Sequence, residues 1–462
     1  MTNYHQNYFR NAILLLLITL CSCQLSGQAF SRQDALTDLV YLNKAVLNGH
    51  PVNYNGKQVN LNATIEYLRS IRADSLSYPE YRFLLGRALF ELGCVHTYVT
   101  KGMAPDKILP SFFPLSVIVE DDKLIIKASP AEPLSGKEIS SINGIPAEKI
   151  AGEMSRFRGS DGGTEAFSLG YFNKVSPALL ALYFGYPSSY LLSVGGRTME
   201  INSSPKNIPT SVRAVEGTVI YHSGSNNFSV SQKAAILQIT SFSTSLKPFF
   251  AKCLNYCRDQ KITNLILDFR GNTGGNRSAA ISLSRRLIDT TFSYSILQPR
   301  LKTGTYVDGK GKWFLFLSKL KYNVGSFYRS HRTSLGREFT YRYKPGKQVY
   351  KGKLYVITDG LTASSSTMVA AWLRKHTSAV FAGKQTGGGY NGNNGGAFPT
   401  LTLPKSKIQL SFPAYRLILD PHSDNAAGIK PDIETHYTAI DIAQNRDLEM
   451  EKIFQALLEE GN

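Results

Sequence analysis

The chain has 462 residues, with 42% hydrophobic and 19% charged residues and a formal net charge of +18. That length implies two to three domains. Beyond the N-terminus no stretch is long and apolar enough for a membrane helix, no internal repeat is present, and the 8 histidines form no H-E-x-x-H pair, so no metal site is expected.

In chain order, Arg10 precedes an apolar stretch from Ala12 to Leu20. It is too short to span a bilayer and suits a signal-peptide core. Leu20-Cys21-Ser22-Cys23 resembles a bacterial lipobox, which would lipidate Cys23; Gly27-Gln28-Ala29 offers an ordinary cleavage site. Either route, with residues 1–29 as the signal peptide, exports the protein to a cell envelope or beyond.

Residues 32–105 read as helical. Ser31 to Asp34 and Ser77 to Glu80 are capping boxes. After the second, Tyr81, Leu84, Leu85, Ala88, Leu89 and Leu92 recur at helical spacing, and Gly93 stops the helix. Residues 106–205 hold short strands and Gly-Pro turns. Within them, Gly136, Ile139, Ile142, Asn143, Gly144 and Pro146 resemble a PDZ signature.

Residues 215–455 read as an α/β core whose first strand is Ala235 to Ile239. Cys253 and Cys257 fall four apart in a predicted helix, where disulfide geometry is poor, so they are expected as buried thiols. Leu265, Ile266 and Leu267 form a continuous apolar run, as in a strand buried on both faces. Asp268 ends it before a turn rich in glycine. Much of the positive charge lies between Arg300 and Lys353, interleaved with Tyr and Phe. A solvated insertion is expected there, and nucleic acid is not, because the chain is exported.

Leu354 to Ile357 form the next strand, followed by Ser364, Ser365 and Ser366 at the start of an amphipathic helix. A serine at such a turn sits beside unpaired N–H groups, which suits an oxyanion hole next to a nucleophile, or an N-cap. Gly387, Gly389 and Gly392 satisfy G-x-G-x-x-G. A dinucleotide fold needs a helix after them, whereas residues 401–412 alternate like a hairpin. No G-x-S-x-G is present, which disfavours an α/β-hydrolase.

Three motifs in order resemble the C-terminal processing (tail-specific) serine peptidases, the family that includes the tricorn core and the interphotoreceptor retinoid-binding repeats. Asp268, Arg270, Asn272, Gly274 and Gly275 match D-x-R-x-N-x-G-G. Thr362, Ser364 and Thr367 match T-x-S-x-x-E, with Thr367 in place of Glu. Gly383, Thr386, Gly387 and Gly388 match G-x-x-T-x-G-G.

The resemblance implies a multidomain α/β protein: an N-terminal helical domain, a PDZ-like β-rich domain, and a crotonase/ClpP-like serine peptidase core. Ser364 would be the nucleophile, with Gly274 and Ser365 lending the oxyanion hole. Gly389 occupies the place of the Ser–Lys branch's lysine, and Lys384 does not match it. The tricorn-like branch takes a histidine from D-x-H-T, met here by His96 and Thr97 with Cys94 in place of Asp. The third member would be Asn425, or its neighbour Asp424, before Gly428-Ile429-Lys430-Pro431-Asp432. An exported serine endopeptidase without cofactor, acting on peptides or proteins, is the implied function. A non-catalytic peptide binder and a carrier of small apolar ligands are the alternatives.

Overall fold

The computed structural model describes residues 29–459 apart from 54–57, 103–110, 129–133, 207–214, 232–233, 326–329 and 424. The N-terminal segment through Gln28, with Cys23, and Asp424 lie outside the described residues.

The fold is mixed α/β. Its first helices are Arg32–Gly49, Asn62–Ser70 and Tyr78–Glu91. The Ser31 hydroxyl accepts from the Asp34 N–H at 3.0 Å. Ser77 and Glu80 cap the third helix reciprocally, which satisfies two N–H groups that no helical carbonyl can reach. Leu39, Leu42, Leu85 and Leu89 share one apolar cluster with Leu265 and Leu267 of the central sheet and Val369 of a helix packed on it.

Residues 116–202 build an antiparallel sheet in the order Ser116–Glu120, Lys123–Ala128, Glu138–Ile142, Ser189–Val194, Arg197–Asn202. It packs against helices Ala147–Met154 and Ala166–Tyr183 around a separate core that includes Phe113, Ile126, Phe172 and Leu180. Asn143 and Gly144, at φ 50 and 74, turn the chain from Ile142 to Ile145. Both central residues of a tight hairpin need positive φ, which Asn-Gly adopts at little cost.

A seven-stranded sheet carries the rest. Its order is Thr218–Ser223, Asn226–Val230, Ala235–Gln238, Asn264–Asp268, Lys353–Thr358, Val380–Gly383, Ile433–Glu434. From Ala235–Gln238 onward the pairs are parallel. Leu265 and Leu267 enter one apolar cluster and Ile266, between them, another. The unbroken apolar run is therefore a strand covered on both faces. Cys253 and Cys257 are buried free thiols in the helix Leu246–Asp259.

After the glycine run, Gly392–Gly395 is a strand, paired with Tyr415–Ile418. Thr400–Thr402 and Gln409–Ser411 form the expected hairpin, and Val99–Lys101 adds to its edge. That last pairing brings the segment after His96 onto the core. No described helix is long and apolar enough to cross a membrane.

Candidate active site

The site is built where two parallel neighbours end. Asn264–Asp268 gives way to the loop 269–276 and Lys353–Thr358 to the serine turn. The Arg270 guanidinium, 2% exposed, is ringed by carboxylates: Asp268 at 2.7 Å, Asp447 at 2.6 Å and Glu449 at 2.9 Å. It anchors the loop, and a fully paired charge of this kind is structural rather than reactive.

Asn272, fully buried, ties the loop together. Its side chain donates to the Ile239 carbonyl at 2.8 Å and accepts from the Gly274 N–H at 2.8 Å. Its own carbonyl accepts from the Ala363 N–H at 3.2 Å and from the Ser366 hydroxyl at 2.6 Å. Loop and turn are thereby locked. A Cβ on Gly274, whose φ is +110, would stand 2.6 Å from Ser364 Cβ and 2.9 Å from Ser365 N. Only glycine permits that approach.

The three serines differ. Ser365 donates its hydroxyl to the Gly275 carbonyl at 2.8 Å, and Ser366 is bonded as above. Ser364 caps the helix Ser365–His376 with φ 57 and ψ −123 and makes no side-chain cap bond. A non-glycine residue in that region is strained, and such strain concentrates at functional turns. Among the described residues, neither the Ser365 N–H nor the Gly275 N–H meets an acceptor, whereas Gly274 has given its N–H to Asn272. The loop's available donor is thus the Gly275 N–H, one residue beyond the position expected from the sequence.

Thr367, where the family pattern has Glu, returns its hydroxyl to the Thr362 carbonyl at 2.9 Å. Thr386 accepts from the Ile429 N–H at 2.8 Å, docking the G-I-K-P-D segment on the glycine run. Lys384 pairs with Glu120 at 2.6 Å.

His96 lies between the helix Tyr78–Glu91 and the strand Val99–Lys101. Its neighbour Val95 shares a small apolar cluster with Phe167, Leu361 and Ala363, which sets the histidine segment against the serine turn. Thr97 is held from behind by His50: the Val52 N–H donates to His50 Nδ1 at 3.0 Å, so Nε2 carries the proton and donates to Thr97 Oγ1 at 2.7 Å. Burial pushes the His50 pKa down to about 3. The His96 ring stacks on Phe398, with centroids 5.1 Å apart. Burial, then the nearby Arg158 cation, push its pKa down to about 4, so it is neutral at pH 7. Arg158 sits over the rings of Tyr98 at 4.4 Å and Tyr171 at 4.5 Å.

His96 Nδ1 is buried without a partner. Asn425 does not supply one. It is exposed, and its Oδ1 accepts from the Ala427 N–H at 3.1 Å, an ordinary turn bond. The group that does come near is Asn394, whose backbone favours the protonated imidazole and whose Oδ1 is buried and unpartnered. Asp161 holds the surroundings: it accepts from the Val95 N–H and the Gly389 N–H, each at 3.1 Å. Burial raises its pKa to about 6. Asn394, Asp161, His50 and Arg158 were not expected from the sequence; they lie in no motif.

A cavity of about 1140 Å³ opens behind the turn, lined in part by Asp359, Gly360, Leu361 and Arg270, but by neither Ser364 nor His96.

Residues 233–435 match the model of peptidase family S41. This stretch is thus similar to the S41 peptidases, the family its motifs resemble. Among solved structures it is similar to mature CPAF complexed with lactacystin: 17% identity, 92% of this chain and 98% of that one covered, TM-score 0.61. Mature CPAF in another crystal structure gives 16% identity, 93% and 99% coverage, and TM-score 0.60. These likenesses establish a shared fold. No curated protein matches the chain. The family is one of serine-type peptidases, hydrolases whose substrates are peptides or proteins.

Proposed function

We propose that the chain is an exported serine endopeptidase of the Ser–His type. Ser364 attacks the peptide carbonyl, and His96 takes its proton and returns it to the leaving amine. The Ser365 and Gly275 N–H groups receive the oxyanion; each such donor contributes about 3 kcal/mol in comparable enzymes. The observation that carries this reading is the contrast among three adjacent serines. Two are bonded into the backbone, and Ser364 alone is at a strained φ with its hydroxyl uncommitted. A neutral imidazole is the form a general base requires, and burial keeps His96 in it. Export rests on the Arg10 to Ala29 pattern, with Cys23 as the lipid acceptor if the lipobox is used.

A second reading, a non-catalytic peptide binder, draws on the unpartnered Nδ1 of His96. Incubating the full chain, Ser364→Ala and His96→Ala with a fluorophosphonate probe separates the two. The peptidase reading expects wild-type labelling that both variants lose. Labelling that survives Ser364→Ala, or none in a folded wild type, overturns it.

A further inference from the structure

The helix Gly309–Gly325 is amphipathic the wrong way round for a protein core. Leu315 and Tyr322 face inward at 4% and 7% exposure. Ser318, on the same side, shares a 3.0 Å hydrogen bond with the Tyr415 hydroxyl. At 3.6 residues per turn the opposite side is Trp313, Phe316, Leu317, Leu320 and Val324. These are 63%, 54%, 44%, 49% and 72% exposed. Lys310 and Lys321 border that apolar side on one edge, Lys312 and Lys319 on the other, and the helix has no acidic residue. A contiguous apolar face pointing away from the protein marks a surface with a partner.

Beside this helix lies a second, independent feature. Arg300, Arg332 and Arg337 line a cavity of about 370 Å³, to which Asn323 near the helix C-terminus also contributes. Arg332 and Arg337 are direct cross-strand partners, and like charges placed so repel. Arg337 is held by neutral groups, Asn323 Oδ1 at 2.8 Å and Ser330 Oγ at 2.9 Å. Among the described residues no carboxylate forms a salt bridge with any of the three. Three guanidiniums around one hollow suit an anion with several oxygens, such as a phosphate.

We propose that this helix face and the adjoining arginine cavity form a docking surface for an anionic lipid bilayer. The apolar side enters the interface, the lysines reach headgroup level from both edges, and the arginines bind phosphate. A free phosphate would account for the arginines but not for the apolar face. A second copy of the chain would bring its own lysines and its own +18 charge against these. Charge complementarity therefore favours the bilayer. The inference does not depend on the peptidase reading or on the N-terminal segment.

The chain has 2 tryptophans, and the other, Trp372, is 1% exposed in the core. Trp313 emission thus reports on this face even if the N-terminal segment also binds lipid. The full chain is titrated with vesicles of phosphatidylcholine alone and of phosphatidylcholine with phosphatidylglycerol, with and without brominated acyl chains. The proposal expects a blue shift and bromine quenching with the anionic vesicles, both absent from Trp313→Phe. Removing Lys312 or Lys319 as Lys→Gln weakens partitioning about fivefold each, and Arg332→Gln weakens it further. Emission that stays unshifted while the chain sediments with vesicles overturns the proposal. So does a shift that grows with protein concentration without lipid, or one that inorganic phosphate alone reproduces.

Discussion

The Ser366 hydroxyl donates to the Asn272 carbonyl at 2.6 Å, across 94 residues of sequence. This bond joins the glycine loop to the serine turn, and it separates the structural serine from the reactive one. Ser366→Ala removes this bond and the one that the Ala363 N–H donates to the Ser366 hydroxyl, and costs about 1–3 kcal/mol of stability. Ser364→Ala loses no bond and stays within about 0.5 kcal/mol of wild type, yet abolishes fluorophosphonate labelling. Denaturant unfolding and labelling of both variants check the contrast. Equal stability losses in the two would refute it.

Gly274→Ala should be severe on both counts. The new methyl meets Ser364 Cβ at 2.6 Å and sits at φ +110. Alanine at such a φ costs about 1 kcal/mol or more. Displacing Ser364 by a fraction of an ångström to relieve the contact lowers the labelling rate by about a hundredfold. A variant that labels at the wild-type rate would show that the loop does not set the serine's position.

The pH dependence follows from His96. Its folded pKa of about 4 means that the neutral base persists well below pH 6.5. Labelling is therefore expected to fall on the acid side near pH 4. Arg158→Gln, which removes a cation that depresses this pKa, moves the fall to higher pH. The stability sign is the same for His96 and for His50, whose folded pKa is about 3. An unfolded histidine binds its proton near pH 6.5, so between the folded and unfolded values the unfolded chain holds more protons. These two residues thus make stability rise with pH up to about 6.5 and fall as the solution is acidified. Asp161, raised to about 6, acts in the opposite sense, its contribution being lost as pH rises through that value. An acid limb at pH 6.5 in the wild type would show that burial and Arg158 do not depress the His96 pKa.

What the sequence made legible was local. The apolar run Leu265–Leu267 and the Ser77–Glu80 capping box are set by neighbours in the chain, and they form as read. Ser364 stood out only through motif spacing; its uncommitted hydroxyl is a tertiary fact. The bonds from Asp161 to Val95 and Gly389 span 66 and 228 residues, and no periodicity marks such a residue. The helix Gly309–Gly325 is a different case. Its lysines suggested a solvated insertion, but its apolar residues recur at helical spacing too, and a pattern alone does not say which side faces the protein.

The third member of the triad is open to a direct test, because the position the motif indicates and the position the structure favours are different asparagines. Asn425 is exposed and bonded to Ala427, so Asn425→Ala should change labelling by less than about threefold, where loss of a triad orienter costs several orders of magnitude. The Asn394 backbone lies near the imidazole, and its Oδ1 is buried and unpartnered. Asn394→Asp puts a negative charge on this neighbouring residue, which stabilises the imidazolium. The acid limb of the labelling profile should then move up from about 4, with a rise in rate at neutral pH. Asn394→Ala should lower the rate without that shift. If instead Asn425→Ala silences the enzyme and Asn394→Asp leaves the profile unmoved, the motif position orients His96 after a rearrangement of the 423–427 turn.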